Sequence, residues 1–580
     1  MFFASLLALI IFSFIGFFIF LALIAGLASS DKPMVEKNSV LVINLGQSFL
    51  EQQFESPLAT FSSSDELSIP GVYDVVRLLQ KAAKDDKIKG IYLMSGINPN
   101  GFATSEEIRN ALLAFKRSGK FIISYSEMMN QKSYHTANVA DKMYVNPKGF
   151  FDWTGFSSEL LFLKGTLEKL DIEPQIFYAG KFKSATEPFR TDKMTEENKL
   201  QTSVWLGDLY SHFLIKAAEA RKTDTATLHR LANEGAIKNP QDAVANNLID
   251  GVKYDDEVKD EIKQRLNLGK YDKINFISIN SYSKSGGYKR SSGEKIALIY
   301  AQGTIIDGGA DDQGQIASAN YIKLIRKARL DKTIKAIVFR VNSGGGSALA
   351  SETIWRELSL AKTEKPVVVS FGDVAASGGY YISCAADSIF ASPTTITGSI
   401  GVFGIIPNME GFFKNKLGVT FDGVKTGPYA DLGAIYRPMN DNEKKFVQQS
   451  IDEIYLSFKQ RVADGRKRSV EFVDSIAQGR VWSGNRAIGI GLIDKFGGLH
   501  DAVECAARMA KLKEYRLREY PEIQNLFDRL LGKTTDNTLK TKMLKEELGE
   551  DQYKIYNEML RIKQMTNSVQ TRLPFEFFIN

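Results

Sequence analysis

Two short stretches of this chain carry groups suited to attack on a carbonyl carbon. In DVAASGGYYIS (373–383), Ser377 sits among small residues where an apolar run gives way to a helical pattern. A serine at such a turn can be an exposed nucleophile, and the following amide, that of Gly378, can donate to an oxyanion. Upstream, VNSGGGSA (341–348) places Gly345 and Gly346 just after another apolar run. Without Cβ atoms their amides can approach a ligand closely. The same serine would equally serve as the cap of a close-packed helix, and the local string leaves both readings open. A hydroxyl nucleophile needs a base, usually histidine. The chain has four, His135, His212, His229 and His500; only the last lies in the half that holds Ser377, and it follows a Gly-Gly turn without a neighbouring signature. The other candidate base is a lysine whose pKa burial has lowered. YAGKFKSATEPF (178–189) offers Lys183, with Lys181 two residues before it.

The elements that must position these residues are written twice. DKIKGIYLM (86–94) matches KTIKAIVFR (332–340), and at that constant shift Ser105/Ser351, Glu106/Glu352, Tyr134/Tyr380, Asp141/Asp387, Pro147/Pro393 and Gly155/Gly401 are identical pairs. A domain-sized period means tandem duplication rather than a solenoid. Each copy alternates β-branched runs (VLVINL, IKGIYLM and FIISYS; IALIY, IKAIVFRV and VVVSFG) with amphipathic helical patterns. That order predicts a layered α/β domain. Where the copies differ, the chemistry appears. Ser377 aligns with Gln131, and Lys183 aligns with Ala430 of KTGPYADLGAIY (425–436). One copy has the lysine without the serine, the other the serine without the lysine. Together they suggest one composite site across the interface.

Around these halves, residues 278–295 (SINSYSKSGGYKRSSGEK) read as a linker between a first half, 31–277, and a second, 296–510. The charged tail, 511–580, reads as helical. Residues 1–30 contain no charged side chain, and about 20 apolar residues suffice to cross a bilayer. They predict an N-terminal transmembrane anchor, although Ala25–Ser29 resemble a cleavage site. A net charge of +6 over 580 residues (74 Lys+Arg, 68 Asp+Glu) is too dilute to argue for nucleic acid. Two cysteines, Cys384 and Cys505, cannot build a zinc cluster, and two inert buried thiols are expected. No metal, nucleotide or phosphate motif occurs, so no cofactor is expected; SGGGS lacks the Gly-Lys-Ser/Thr ending of a P-loop.

The anchor, the duplication and the strings KSATEPF, NSGGGS, ASGGYYIS and TGSIGVFG together resemble the signal peptide peptidases of the SppA (protease IV) type, Ser-Lys peptidase family S49, in its long two-domain form. The resemblance runs from the anchor to about residue 500. It implies a Clp-protease/crotonase-like fold in each half. It makes Ser377 the nucleophile, Lys183 the general base, and Ser399 of TGSIG the hydroxyl that orients the lysine. The oxyanion donors would be Gly378 with Gly345 or Gly346, while Lys181 would be structural. Gly344 stands where many relatives have proline, a looser turn with no donor lost. The resemblance further implies hydrophobic peptide substrates, chiefly cleaved signal peptides, a homotetramer, and a bacterial inner membrane location with the catalytic body on the periplasmic side. Two rivals remain: a crotonase-type acyl-CoA enzyme, which would need acidic catalytic residues, and a non-catalytic membrane-tethered scaffold.

Overall fold

The computed structural model describes residues 12–16, 33–55, 68–309, 314–522, 549 and 569–573. In the first half the β-branched runs form one parallel sheet. Its strands lie in the order Gly251–Val252, Lys142–Phe151, Phe121–Met129, Ile88–Met94, Ser39–Asn44, Asn275–Ser278. The second half repeats the plan: Ile334–Ser343 lies between Glu294–Gln302 and Val367–Ala376, and Tyr515–Tyr520 occupies the edge that Asn275–Ser278 takes in the first. Strands covered on both faces need apolar side chains throughout, and Ile296–Ala301 are buried without a break. One identity shared by the copies, Asp141/Asp387, marks the same ladder end in each half. Asp141 accepts from the Ile122 amide (2.8 Å) and Asp387 from the Val367 amide (2.9 Å).

The two halves share one core. Helix Leu499–Met509 of the second half packs Leu499, Val503 and Ala506 into the cluster that holds Leu41, Leu78 and Ile91 of the first. Across the same interface Arg340, fully buried, donates to Glu51 (2.7 Å) and Glu107 (2.5 Å), both from the first half. Asp373 accepts from the amide (2.9 Å) and hydroxyl (2.7 Å) of Thr104, in the first turn of helix Phe102–Lys116. Unpaired, any of these buried charges would be strongly destabilising, so they fix how the halves dock.

Two expectations are modified, and a third falls largely outside the described residues. The 278–295 segment is not merely a linker: Ser278 ends a strand and caps helix Ile279–Lys284, which buries Ile279 and Tyr282. The tail is not wholly helical: Tyr515–Tyr520 and Gln570–Arg572 are strands, while 523–548 and 550–568 lie outside the described residues. The expected anchor also falls mostly outside them, with only 12–16 described, as helix. Among the described residues no helix is long and apolar enough to cross a membrane.

A third sheet joins the halves at the site. It runs Gln315–Ala317, Thr304–Ile306, Gly345–Ser347, Gln570–Arg572, Val402–Asn408, Glu173–Ala179. Glu173–Ala179 comes from the first half and pairs antiparallel with Val402–Asn408 of the second, from Glu173↔Asn408 to Ala179↔Val402. The chain leaving that strand is the one that carries Lys183.

Candidate active site

Ser377 closes strand Val367–Ala376 and opens the short helix Gly378–Tyr381. Its backbone (φ 54, ψ −116) is a conformation that costs a non-glycine residue on the order of 1–3 kcal/mol. The turn is held by the Ser377 amide donating to Gly398 O (2.8 Å) and the Tyr381 amide donating to Ser377 O (2.8 Å). Ser399, also at positive φ (51), donates its amide to Arg480 O (2.7 Å). Two strained serines are thus fixed from opposite sides.

Lys183 arrives from the other half. After Glu173–Ala179 the chain turns at Gly180 (φ 103), where a Cβ would lie 2.5 Å from the Gln478 carbonyl carbon. The Phe182 amide donates to Gln478 O (2.8 Å) and the Lys183 amide to Gly180 O (3.0 Å). Gly479 backs the lysine; a Cβ there would stand 2.7 Å from Lys183 Cβ. Gln201, on helix Glu196–Arg221, ties the loop down, donating to Phe182 O (3.1 Å) and Ser184 Oγ (2.9 Å) while accepting from the Val481 amide (3.1 Å).

So placed, Lys183 Nζ donates to Ser377 Oγ (2.8 Å), Ser399 Oγ (3.1 Å) and Ser399 O (3.2 Å). Its side chain is buried, and among the described residues no carboxylate forms an ion pair with it. Burial alone holds its pKa well below the usual lysine value. Desolvation without a compensating anion favours the neutral amine. A neutral amine in contact with a serine hydroxyl can accept that proton, so the pair has the chemistry of a nucleophile and its base. Lys181, by contrast, is exposed, its ammonium 5.2 Å from the Phe182 ring centre.

The glycines gather beside the serine. Gly345 (φ 97) brings its Cα so near the Gly378 amide that a Cβ would lie 2.6 Å from that nitrogen, and its own amide donates to Ser343 Oγ (3.1 Å). Gly346 is in register with Ile305 on one side and Thr571 on the other. A cleft of ≈ 410 Å³ opens alongside, bordered by Phe102, Lys132, Leu209, Asp373 and Ile396.

The four histidines stay away from this pair. Glu106, His135 and His212 bring three ligating atoms within 4.8 Å of one another. Here His135 Nε2 lies 2.6 Å from Glu106. Their counterparts Glu352 and Tyr381 are hydrogen-bonded in the same way (2.6 Å), so the contact is a structural one repeated in both halves. Cys384 and Cys505 are buried and free, and burial pushes the Cys384 thiol up to about 12. Sequence reasoning missed Gln201, Gln478 and Gly479: Gln201 reaches the lysine loop from the following helix, Gln478 and Gly479 from the other half of the chain, and no local motif marks them.

A serine hydroxyl in contact with a buried amine on a duplicated α/β scaffold, with amide-rich turns beside it, is an arrangement suited to a serine hydrolase. The profile of peptidase family S49 matches residues 114–269 and 359–513. "Protease 4" of Salmonella typhi is 36% identical over 82% of this chain and 78% of that protein. "Serine protease SPPA, chloroplastic" of Arabidopsis thaliana is 35% identical over 82% and 70%. "Putative signal peptide peptidase SppA" of Enterococcus faecium is 33% identical over 42% of this chain and 72% of its own length. The chain belongs to peptidase family S49, and it is a serine peptidase of the SppA, protease IV type.

Proposed function

We propose that this chain is a membrane-anchored endopeptidase in which Ser377 and Lys183 form a catalytic dyad that cuts hydrophobic peptides, cleaved signal peptides foremost. The observation that carries the dyad is the 2.8 Å contact of a buried, carboxylate-free Lys183 with Ser377 Oγ. Neutral Lys183 takes the hydroxyl proton as Ser377 Oγ bonds to the peptide carbonyl carbon. The electron pair moves onto the carbonyl oxygen, held by the Gly378 amide and an amide of the Gly345–Gly346 run. Collapse of that intermediate breaks the C–N bond, and the leaving amine takes the proton from Lys183. Water, deprotonated by the same lysine, then opens the ester and restores Ser377. Ser399 aims the ammonium through two contacts on one residue.

A fluorophosphonate probe tests the dyad. It is expected to label Ser377, to fail with Ser377→Ala, and to label Lys183→Ala at least about 100-fold more slowly. Lys181→Ala should label at the native rate. The labelling rate should rise with pH through the lowered pKa of Lys183, because only the neutral amine accepts a proton. Native-rate labelling of Lys183→Ala would sink the dyad.

The tether and substrate class rest on sequence and resemblance. An uncharged run over residues 1–30 suits a bilayer anchor. The likeness to a putative signal peptide peptidase of Enterococcus faecium supports signal-peptide remnants as substrates; with the anchor, the reading puts the body on the periplasmic face of a bacterial inner membrane. Assembly into a homotetramer has a geometric rationale. Asp171 (φ 54) precedes the strand that docks the halves, and Gly418 (φ 67) holds the equivalent place in the second half. The equivalent segment 420–426 is unpaired, with Phe421 half-exposed and Val424 fully exposed; the segment 156–162, equivalent to Val402–Asn408, is open too, with Leu161 exposed. Pairing 420–426 of one copy with 156–162 of the next would repeat the intrachain contact head to tail, the kind of contact from which a ring is built. Phe421→Asp with Val424→Asp is expected to shift sedimentation from oligomer to monomer; an unchanged profile would place the interface elsewhere.

A further inference from the structure

Glu106, His135 and His212 form a cluster that the peptidase site does not use. They come from three helices of the first half, Phe102–Lys116, Gln131–Ala137 and Glu196–Arg221. His135 Nε2 lies 2.6 Å and His212 Nε2 3.4 Å from the same carboxylate oxygen of Glu106. Glu106 and His135 are buried, whereas the edge of His212 reaches solvent. The duplication supplies an internal comparison. Helices Glu196–Arg221 and Asp441–Arg466 have the same length, so His212 corresponds to Ser457 and Lys216 to Arg461. In the second half Arg461 donates to Glu352 (2.8 Å), and the Tyr381 hydroxyl completes the contact (2.6 Å). In the first half Lys216 pairs instead with Glu219 (3.0 Å), and Arg109 gives its hydrogen bond to Asn138 (3.3 Å). The Glu106 carboxylate therefore faces two imidazoles where its counterpart faces a guanidinium and a phenol. His135 Nδ1, also buried, has no hydrogen-bond partner among the described residues, so hydrogen bonds alone do not complete the cluster.

We propose that Glu106, His135 and His212 bind one zinc(II) ion, which clamps the three helices together. Two imidazoles and one carboxylate are a donor set that zinc takes, with bonds of about 2.0–2.2 Å and a fourth position left for water. Donors around such an ion stand roughly 3.3 Å apart. The three here lie within 4.8 Å of one another, with two of the separations at 2.6 and 3.4 Å, so small side-chain adjustments close them on an ion. The imidazoles select against magnesium and calcium, which seek oxygen. The ion's charge gives Glu106 the cation that Arg461 gives Glu352, and the solvent-facing edge of His212 is its way in. Donors so far apart in the chain match no linear metal motif, which is why motifs alone predict no metal. The clamp also reaches the neighbourhood of the peptidase site. Helix Glu196–Arg221 carries both His212 and Gln201, the side chain that ties down the Lys183 loop. Phe102, edge-on to His135 (5.7 Å), borders the cleft beside Ser377.

The test titrates zinc chloride into the untagged full chain, in detergent micelles and at neutral pH, after dialysis against a chelator. His212→Ser, Glu106→Gln and His229→Gln are treated in parallel. The native chain and His229→Gln, altered at an exposed histidine outside the cluster, are expected to take up one equivalent of Zn2+ per chain. His212→Ser and Glu106→Gln should bind it more weakly by more than the about 10–100-fold that loss of an outer-shell partner costs. Zn2+ should raise the melting temperature of the native chain and leave that of His212→Ser unchanged. His212→Ser installs the residue that the second half carries at the equivalent helix position, so its fold is expected to persist. Co2+ bound to the native chain gives a readout independent of any variant, through visible absorption bands of a low-coordinate site with imidazole ligands. No saturable Zn2+ uptake, or equal uptake by the native chain and His212→Ser, would overturn the inference. So would a cobalt spectrum of octahedral, all-oxygen coordination. Ser377 and Lys183 are read separately by the fluorophosphonate, so these outcomes leave the peptidase reading where it stands.

Discussion

Lys183→Met is expected to lower kcat/KM on a peptide by about 10³-fold or more and, in the same preparation, to raise the melting temperature at neutral pH. The two effects have one cause. In the unfolded chain the amine titrates at its ordinary 10.5, whereas burial holds the folded value well below that. Between those values the unfolded state binds a proton that the folded state does not, so lysine opposes folding there and stability rises with pH. Methionine fills a similar volume and carries no proton. Its advantage should be largest at pH values below the folded pKa and should vanish as pH passes 10.5. Melting curves across that range, read beside peptide turnover, check both halves of the statement. A stability difference between variant and native chain that does not change with pH would mean that Lys183 keeps its ordinary pKa in the folded protein, and the neutral base would be lost with it.

Gly479→Ala should reduce kcat about 100-fold with little change in KM, although residue 479 touches neither peptide nor nucleophile in the proposed mechanism. The backbone there is left-handed (φ 74), and the new Cβ would lie 2.7 Å from Lys183 Cβ and 2.7 Å from its amide nitrogen. Neither atom is the free end of a flexible chain, so the lysine backbone itself must move. A displacement of about 1 Å between reacting groups can cost about 10²-fold. Gly235→Ala is the control: its φ is also positive (56), yet nothing lies within 4 Å of the added Cβ. It should alter stability slightly and turnover not at all. Equal kcat for Gly479→Ala and the native chain would show that Lys183 tolerates displacement, and the close packing around it would have no catalytic consequence.

What could be read in the residues follows from the duplication. Comparing the copies isolates Ser377 and Lys183 because each stands where its counterpart has lost the group. The strands too were legible, because doubly covered parallel strands must be continuously apolar. The edge strand Tyr515–Tyr520 was not. Its YRLREY alternates charged and apolar residues, with Tyr515 and Tyr520 buried and Arg516 and Arg518 exposed, and amid a charged tail it passed for helix. Nor did any local pattern mark the docking contacts. Arg340 meets Glu51 and Glu107 across 289 and 233 residues of chain, and Gln201 meets Val481 across 280. Such pairs are set by how two folded halves meet, not by neighbours in sequence. The strand at Gln570–Arg572 was hidden for the same reason: its partners are glycines more than 200 residues earlier.

The division of the pair between halves also orders events during synthesis. Lys183 precedes Ser377 by 194 residues. At roughly 5–20 residues per second, about 10–40 s separate the emergence of the two from the ribosome. In that interval the nascent chain presents an amine with no hydroxyl to activate. Even after Ser377 appears, the contact waits until Val402–Asn408 has paired with Glu173–Ala179 and Gly479 has closed behind the lysine. If Ser377 and Lys183 act as the proposed dyad, a nascent chain from which Ser377 has not yet emerged holds only half of the catalytic pair.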